Sequence, residues 1–208
     1  MILAIDTSIG SAVAVVDLEG TVRGEAASPN ALGHAEVIGT LLEEALAAAG
    51  VTPTHISHVA AGMGPGPFTG LRIGIAAARA FALGRGVPVL AVPSHDAAAL
   101  AQIDVDAGSD QDATTGTCVI ITDARRREVA ISEYDGLDAD GIPHRISGPT
   151  LQLRNDTHAP LTAAIPAGAL GRLAALGLAA GRELATSEPL YLRAPDVTMP
   201  KGPKRVGT

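Results

Sequence analysis

The chain has 208 residues, enough for one large domain or two small ones with a real hydrophobic core. Aromatic residues make up only 2% and Trp is absent, so that core must be built mostly from Ala, Val, Leu and Ile. The formal charge of -7 argues against autonomous binding of nucleic acid, which needs clustered Lys and Arg, so a nucleic-acid role would have to be shared with a partner.

The single cysteine, Cys118, rules out an intrachain disulfide and favours a reducing, cytoplasmic location. It lies in an apolar run, which is typical of a buried structural thiol. The N-terminal residues MILAIDTS lack a basic region, so we expect no signal peptide. Charged residues interrupt every long apolar tract, and we therefore predict no membrane span.

The first 50 residues predict three strands followed by a helix. Apolar runs at Ile2 to Ile5, Ala12 to Asp17 and Val22 to Ala26 are separated by turn residues, which predicts an antiparallel meander. Apolar residues at helical spacing then predict a helix over His34 to Ala49, and Gly50 is suited to end it. The apolar arc of this helix is wider than one sheet contact requires, which indicates a second contact.

The segment Gly62 to Gly74, with the sequence GMGPGPFTGLRIG, follows a predicted strand at Ile56 to Ala61 and leads into a predicted helix at Leu71 to Leu83. It contains neither G-x-G-x-x-G nor a P-loop lysine, and its two prolines lack the N–H groups that would bind phosphate. We interpret it as a rigid turn that positions a helix.

Two interpretations of that helix follow from its small residues. Gly70, Gly74 and Ala78 form a ridge that permits close approach of another element. Ordinary core packing would explain the ridge, but we favour an interface with a partner.

A strand at Val87 to Val92 and a short helix from Ser94 to Ala101 complete the first part of the chain. Three antiparallel strands followed by alternating helices and strands predict an α/β fold of the ribonuclease-H-like type, a mixed sheet with helices shared by sugar kinases, actin and Hsp70. We predict that this N-terminal domain comprises residues 1–101.

The remainder predicts a second, smaller and degenerate α/β domain over residues 102–195. Gln102 to Gly116 is acidic and aperiodic, which favours a surface loop over a calcium site because the spacing of its aspartates is wrong. A hairpin formed by Thr117 to Thr122 and Glu128 to Tyr134 follows, and later a helix at Gly168 to Ala180. We predict a flexible tail over residues 196–208.

Several residues offer chemistry. Asp6, Thr7 and Ser8 at a strand end could hold Mg²⁺ and a phosphate, or they could simply cap a turn. No second His lies four residues after His34, where Ile38 stands, so we predict no histidine metal site. The turn Arg125 to Arg127 is either a solvated hairpin tip or a contact for an anion or an RNA backbone.

Six motifs taken together resemble the bacterial TsaB (YeaZ) family, subunits required for making threonylcarbamoyladenosine in tRNA. These motifs span nearly the whole chain and are ILAIDTS (residues 2–8), GHAE (33–36), GMGPGPFTGLRIG (62–74), VPVLAVPS (87–94), TDARRREV (122–129) and PLYLRAPD (189–196). The resemblance implies a paralogue of the catalytic threonylcarbamoyltransferase TsaD that has lost the H-x-x-x-H metal pair.

The resemblance further implies a non-catalytic scaffold that activates a TsaD-like transferase, with a TsaE-like ATPase, for modification of adenosine 37 in tRNA. It implies that the chain forms a homodimer when alone and contacts tRNA only through the complex. It implies no firmly bound cofactor, although ATP or ADP with Mg²⁺ could bind in the complex. The implied partner surface consists of Val37, Leu41, Leu42, Leu71, Ile75 and Arg79. Asp6, Thr7, Ser8 and Asp123 would be vestiges of a nucleotide site.

Two enzymatic alternatives stay open at this point. A nucleotide-dependent kinase or hydrolase of the same fold would use Asp6 and Asp123. A glycopeptidase-like enzyme is the other, since related proteins have been described as glycoprotein endopeptidases, although it would need the metal pair.

Overall fold

The computed structural model describes residues 1–29, 33–109, 117–157 and 159–193, with side chains in the third helix described up to residue 104. The predicted tail and His158 therefore lie outside the described residues. Eight strands and four α-helices are described: β1 (Ile2–Asp6), β2 (Ser11–Val16), β3 (Val22–Ser28), α1 (His34–Ala48), β4 (His58–Gly62), α2 (Phe68–Arg85), β5 (Val89–Val92), α3 (Ser94–Ser109), β6 (Cys118–Asp123), β7 (Glu128–Leu137), β8 (Pro143–Leu153) and α4 (Ala167–Ala179).

The first sheet has five strands in the order β3-β2-β1-β4-β5. The β1–β2 and β2–β3 pairs are antiparallel, whereas β4 pairs in parallel with β1 and β5 pairs in parallel with β4. The second sheet is antiparallel in the order β6-β7-β8. This mixed architecture confirms the predicted α/β fold class of the ribonuclease-H-like type.

Alternate residues of β1 face two separate cores. Leu3 and Ile5 pack with residues of α1 and α2 on one side, while Ile2 and Ala4 pack with residues of α3 and α4 on the other. A strand with helices on both faces is apolar at every position, which explains why β1 shows no polar alternation. The parallel strands β1, β4 and β5 therefore end together at one edge of a buried sheet.

The helix α4 returns to the first sheet although it follows the second sheet in sequence. Gly171 permits this contact, because a Cβ atom there would overlap Val16 and lie 3.3 Å from the Cβ of Ala4. The predicted boundary between residues 101 and 102 falls inside α3. Helices from both parts of the chain thus share one core.

Two elements differ from their predictions. The acidic segment from Gln102 is not a loop up to Ser109, because α3 continues through it and buries Ile103 in the core. The strand β8 was not predicted, since Pro143, Gly148 and Pro149 interrupt its pattern. As the edge strand of its sheet, β8 tolerates prolines and shows register shifts against β7.

Candidate functional site

The segment after β4 closes over the turn that follows β1. A Cβ atom at Gly62 would overlap the Asp6 carboxylate, and one at Gly66 would lie 2.8 Å from Ser8. The backbone of Gly64 exchanges hydrogen bonds with Ser94, at 3.0 Å to the hydroxyl and 2.8 Å from the Ser94 N–H. The glycines of this segment are therefore required because its backbone approaches Asp6 and Ser8 so closely.

The Asp6 carboxylate is satisfied by donors of the protein itself. It accepts hydrogen bonds from the Ser8 N–H at 2.8 Å, from the Ser8 hydroxyl, and from the Ser94 hydroxyl at 2.5 Å. Only 2% of the residue is exposed, and burial raises the pKa of Asp6 although the two serines oppose the rise. Asp6 therefore serves as a buried hydrogen-bond acceptor that joins the end of β1 to the following turn and to the start of α3.

The predicted nucleotide residues do not form one cluster. Asp6, Thr7 and Ser8 lie together and are buried. Asp123 instead lies at the end of β6 with an exposed carboxylate, 3.9 Å from the guanidinium Nε of Arg125. Their assignment as vestiges of a nucleotide site stays a prediction.

Sequence reasoning treated Ser94 only as a helix cap and missed its hydrogen bond to Asp6. A signal was present, because Ser94 follows β5 and the carboxyl ends of parallel strands meet at one sheet edge. His34 was tested only as a metal ligand, and it contacts the Ser11 hydroxyl at 2.8 Å. Within the described ranges, no three His, Cys, Asp or Glu side chains are grouped to hold a metal ion.

The start of α3 carries a buried polar network that reaches the second sheet. The two ring nitrogens of His95 lie 2.8 Å from the Ser132 hydroxyl and 2.9 Å from the Thr122 hydroxyl. Burial, followed by the positive charge of Arg145, lowers the pKa of His95 to about 3. The low pKa favours the neutral imidazole, which joins the start of α3 to β6 and β7 of the second sheet.

The small-residue ridge of α2 faces the protein interior, so the favoured interpretation of an interface there is wrong. A Cβ atom at Gly70 would lie 2.6 Å from the Thr7 carbonyl oxygen, and one at Gly74 would overlap the Thr7 hydroxyl. Thr7 also donates to the Gly70 carbonyl at 2.7 Å and accepts from the Gly74 N–H at 3.0 Å. The ridge therefore fixes α2 against the end of β1.

The implied partner surface needs a correction for three of its residues. Leu41, Leu71 and Ile75 lie in the core formed by the first sheet with α1 and α2, and Leu71 has no exposed surface. All three side chains point into this core, Leu41 from α1 and Leu71 and Ile75 from α2, so they offer a partner little or no surface. Val37 and Leu42 are half-buried and Arg79 is exposed, and their assignment stays a prediction.

The outward face of α2 carries a different apolar stripe. It consists of residues three or four apart, namely Ile73, Ala76, Ala80 and Leu83. Ala76 and Ala80 are exposed, Ile73 is half-buried, and 84% of Leu83 is exposed. A large apolar side chain with this exposure at the end of a small-residue stripe is a candidate contact surface.

The last described residues form a strap along one side of this stripe. The Leu190 N–H donates to the Met63 carbonyl at 2.8 Å, and Arg79 donates to the Ser187 carbonyl at 2.5 Å. The Tyr191 ring lies 4.7 Å from the Phe68 ring, centroid to centroid. Part of α2, including the guanidinium of Arg79, is thus already engaged by the chain itself.

A cleft of about 300 Å³ lies between the start of α2 and the turn that joins β6 to β7. Its walls include Pro67 and Phe68 on one side and Asp123, Arg125 and Arg126 on the other. Arg193 also lines the cleft and pairs with Glu128. This is the site at which the predicted basic turn meets the rigid segment after β4.

No helix among the described residues combines the length and apolar character needed to cross a bilayer.

Comparisons with known proteins place the chain among proteins of tRNA modification. A family profile described as TsaD, tRNA N6-adenosine threonylcarbamoyltransferase, matches residues 22–143, more than half of the chain. An uncharacterized protein of Mycobacterium tuberculosis is 35% identical over an alignment of 209 positions, gaps included, that covers 94% of this chain and 92% of that protein. The tRNA threonylcarbamoyladenosine biosynthesis protein TsaB of Escherichia coli is 35% identical over 144 residues, 69% of this chain and 58% of that protein.

Solved structures agree with these sequence similarities. YeaZ from Pseudomonas aeruginosa matches with a TM-score of 0.72 at 25% identity, covering 92% of this chain and 99% of that one. A crystal structure described as an uncharacterized protein with similarity to peptidase YeaZ from Pseudomonas aeruginosa matches with the same TM-score at 26% identity. The resemblance that the six sequence motifs indicate is confirmed.

Proposed function

This chain belongs to the family of TsaD and its paralogue TsaB (YeaZ), with a role in tRNA threonylcarbamoyladenosine biosynthesis, and from that membership we propose that it is a non-catalytic subunit that binds and activates a TsaD-like transferase. In this proposal the chain acts in the cytoplasm, with a TsaE-like ATPase completing the complex. The reaction served is the transfer of threonylcarbamoyl to adenosine 37 of tRNA.

The observation that carries the proposal is the exposed stripe on α2. Leu83 is 84% exposed beside Ala76 and Ala80, whose small side chains permit another helix to approach closely. Burying this stripe against a partner helix would remove apolar surface from water at about 25 cal/mol per Å². The same stripe would pair two copies of the chain when no transferase is present.

The state of Asp6 supports the non-catalytic part of the proposal. A kinase or hydrolase of this fold would need the carboxylate at the end of β1 to face Mg²⁺ and phosphate. Here Asp6 faces two serine hydroxyls and a backbone N–H beneath the glycine-rich segment. Donors of the chain itself thus engage both carboxylate oxygens, which supports a structural role for Asp6 in this proposal.

The test is binding to a purified TsaD-like transferase, measured by gel filtration and titration calorimetry. We expect Leu83→Asp and Ala80→Asp to weaken binding by about 30-fold or more, since an unpaired charge in an interface core costs about 2 kcal/mol or more. Leu18→Asp is the matched control, because Leu18 is 46% exposed in the β2–β3 turn, away from α2. Wild-type affinity in both α2 variants would show that the contact surface lies elsewhere.

A further inference from the structure

The turn between β6 and β7 has an unusual backbone. Arg125, Arg126 and Arg127 have φ angles of +66°, +53° and +62°. Non-glycine residues rarely adopt this left-handed region, and a hairpin turn normally places Gly or Asn there. Three exposed arginines therefore occupy positions at which smaller residues would be less strained, and strained backbone of this kind is concentrated at functional sites.

The cleft beside this turn is one half of a longer groove. A second depression, of about 550 Å³, shares Pro67, Phe68 and Arg125 with the cleft and continues to His34 and Glu36 at the start of α1. Arg125 thus lies where the two depressions meet. The combined groove extends from the β6–β7 turn to the start of α1, which suits an extended ligand better than a single compact one.

The charges around the groove select a ligand with phosphate groups. One guanidinium group can donate two parallel hydrogen bonds to two oxygens of a phosphate, and Arg125 and Arg126 both line the cleft. The carboxylates that line the two depressions are Asp123, which lies 3.9 Å from Arg125, and Glu36 at the start of α1, while Glu128 beside the cleft pairs with Arg193. Three arginines, Arg125, Arg126 and Arg193, line the groove beside two lining carboxylates, although the whole chain carries a formal charge of -7.

We propose that this groove binds the sugar-phosphate backbone of RNA, with Arg125 and Arg126 contacting successive phosphates of the tRNA held by the complex. The inference rests on the proposed function, because the tRNA is the substrate of the partner transferase. The overall negative charge keeps the isolated chain from binding RNA, so the arginines act only when the complex supplies the main RNA contacts. These phosphate contacts then help to set the position and orientation of the tRNA on the complex.

The experiment measures tRNA affinity of the complete complex at several salt concentrations. A transcribed tRNA that reads codons beginning with A is the probe, and the Arg125→Gln/Arg126→Gln double variant is compared with wild type. The matched control is Arg23→Gln/Arg182→Gln, which removes the same charge from exposed positions in β3 and after α4. Gel filtration establishes in parallel whether each variant still enters the complex.

We expect the Arg125/Arg126 variant to form the complex normally and to bind tRNA about 25-fold more weakly, at about fivefold for each exposed charged contact. The slope of log affinity against log salt should fall by about 0.7 for each lost contact with single-stranded RNA. The control should keep wild-type affinity and slope. Lysine at both positions should restore the slope and only part of the affinity, because lysine lacks the planar fork of arginine.

Other outcomes would overturn the inference in distinguishable ways. An intact complex with unchanged tRNA affinity removes the groove from RNA binding and leaves the proposed function standing. Loss of the complex in the Arg125/Arg126 variant assigns the turn to the protein interface instead. Displacement of tRNA from this groove by ATP assigns it to a free nucleotide. A wild-type chain that never binds the transferase contradicts the proposed function itself.

Discussion

Replacing Gly74 by alanine is expected to destabilise the protein although alanine is the better helix former. A Cβ atom at this position would overlap the Thr7 hydroxyl and lie 3.1 Å from the Thr7 Cβ and Cγ2 atoms. Thr7 is 1% exposed, and its hydroxyl bonds both Gly70 and Gly74. Rotation of the Thr7 side chain cannot relieve the overlap, because two of its carbon atoms are also close.

Three contributions set the magnitude. The gain in helix propensity stabilises by about 1 kcal/mol. Overpacking at a buried contact costs about 1–3 kcal/mol, and disturbing the two hydrogen bonds of Thr7 costs about 1 kcal/mol each. The free energy of unfolding should therefore fall by about 2–4 kcal/mol, and affinity for the transferase should fall with it because α2 is displaced.

Gly84 in the same helix supplies the matched control. No atom lies within 4 Å of the position that its Cβ would take, so Gly84→Ala should stabilise by up to about 1 kcal/mol. Urea unfolding measures both variants, and we expect their midpoints to differ by about 1 M at an unchanged slope. In the Thr7→Ala background, Gly74→Ala should cost at least about 1 kcal/mol less.

The reasoning would be refuted by a Gly74→Ala variant as stable as Gly84→Ala, or by exact additivity with Thr7→Ala. Either result would mean that α2 does not depend on close approach to the end of β1.

The remaining predictions concern buried groups. Because burial lowers the pKa of His95 to about 3, this imidazole is protonated below pH 6.5 in the unfolded chain but stays neutral in the folded protein down to about pH 3. The contribution of His95 to stability is thus complete above pH 6.5 and is lost toward pH 3, by up to about 1.4 kcal/mol per pH unit. Urea unfolding at about pH 4.5 and about pH 7 should therefore show a weaker pH dependence of stability for His95→Gln than for wild type. Asp6→Asn should lower the free energy of unfolding by about 1–3 kcal/mol in thermal unfolding, since an amide nitrogen would face hydroxyl donors. Calorimetry should show no Mg-ATP binding by wild type or by this variant; millimolar binding that requires Asp6 would favour the kinase alternative. Leu71→Ala should cost about 2–5 kcal/mol and Leu83→Ala about 0.5 kcal/mol or less, and equal costs in denaturant unfolding would contradict the orientation of α2.

Much of the first sheet could be predicted from sequence because its signals are local. The runs that form β1, β2 and β3 are separated by turn residues, and the helix signals of α1 and α2 lie between apolar strands. The motifs for the family are equally local. Their specific glycines and prolines reflect a backbone that must pass close to Asp6 and Ser8, a demand that only a few residue types meet.

The second part of the chain shows where local signals fail. The helix α3 extends through an acidic segment because Ile103 reaches the core, which the local composition does not reveal. The strand β8 contains Pro143, Gly148 and Pro149, and pairing with β7 stabilises it despite them. In both cases a tertiary contact outweighs an unfavourable local preference.

The sequence by itself determined the fold class, the family, and the segments from which a partner surface could be built. It could not determine which side of α2 faces outward, because Leu71, Ile75, Ile73 and Leu83 make that helix apolar nearly all round. Only the tertiary structure decided this, through the contact of Gly70 and Gly74 with Thr7. That contact fixes the rotation of the helix, and the rotation buries Leu71 while leaving Leu83 exposed to a partner.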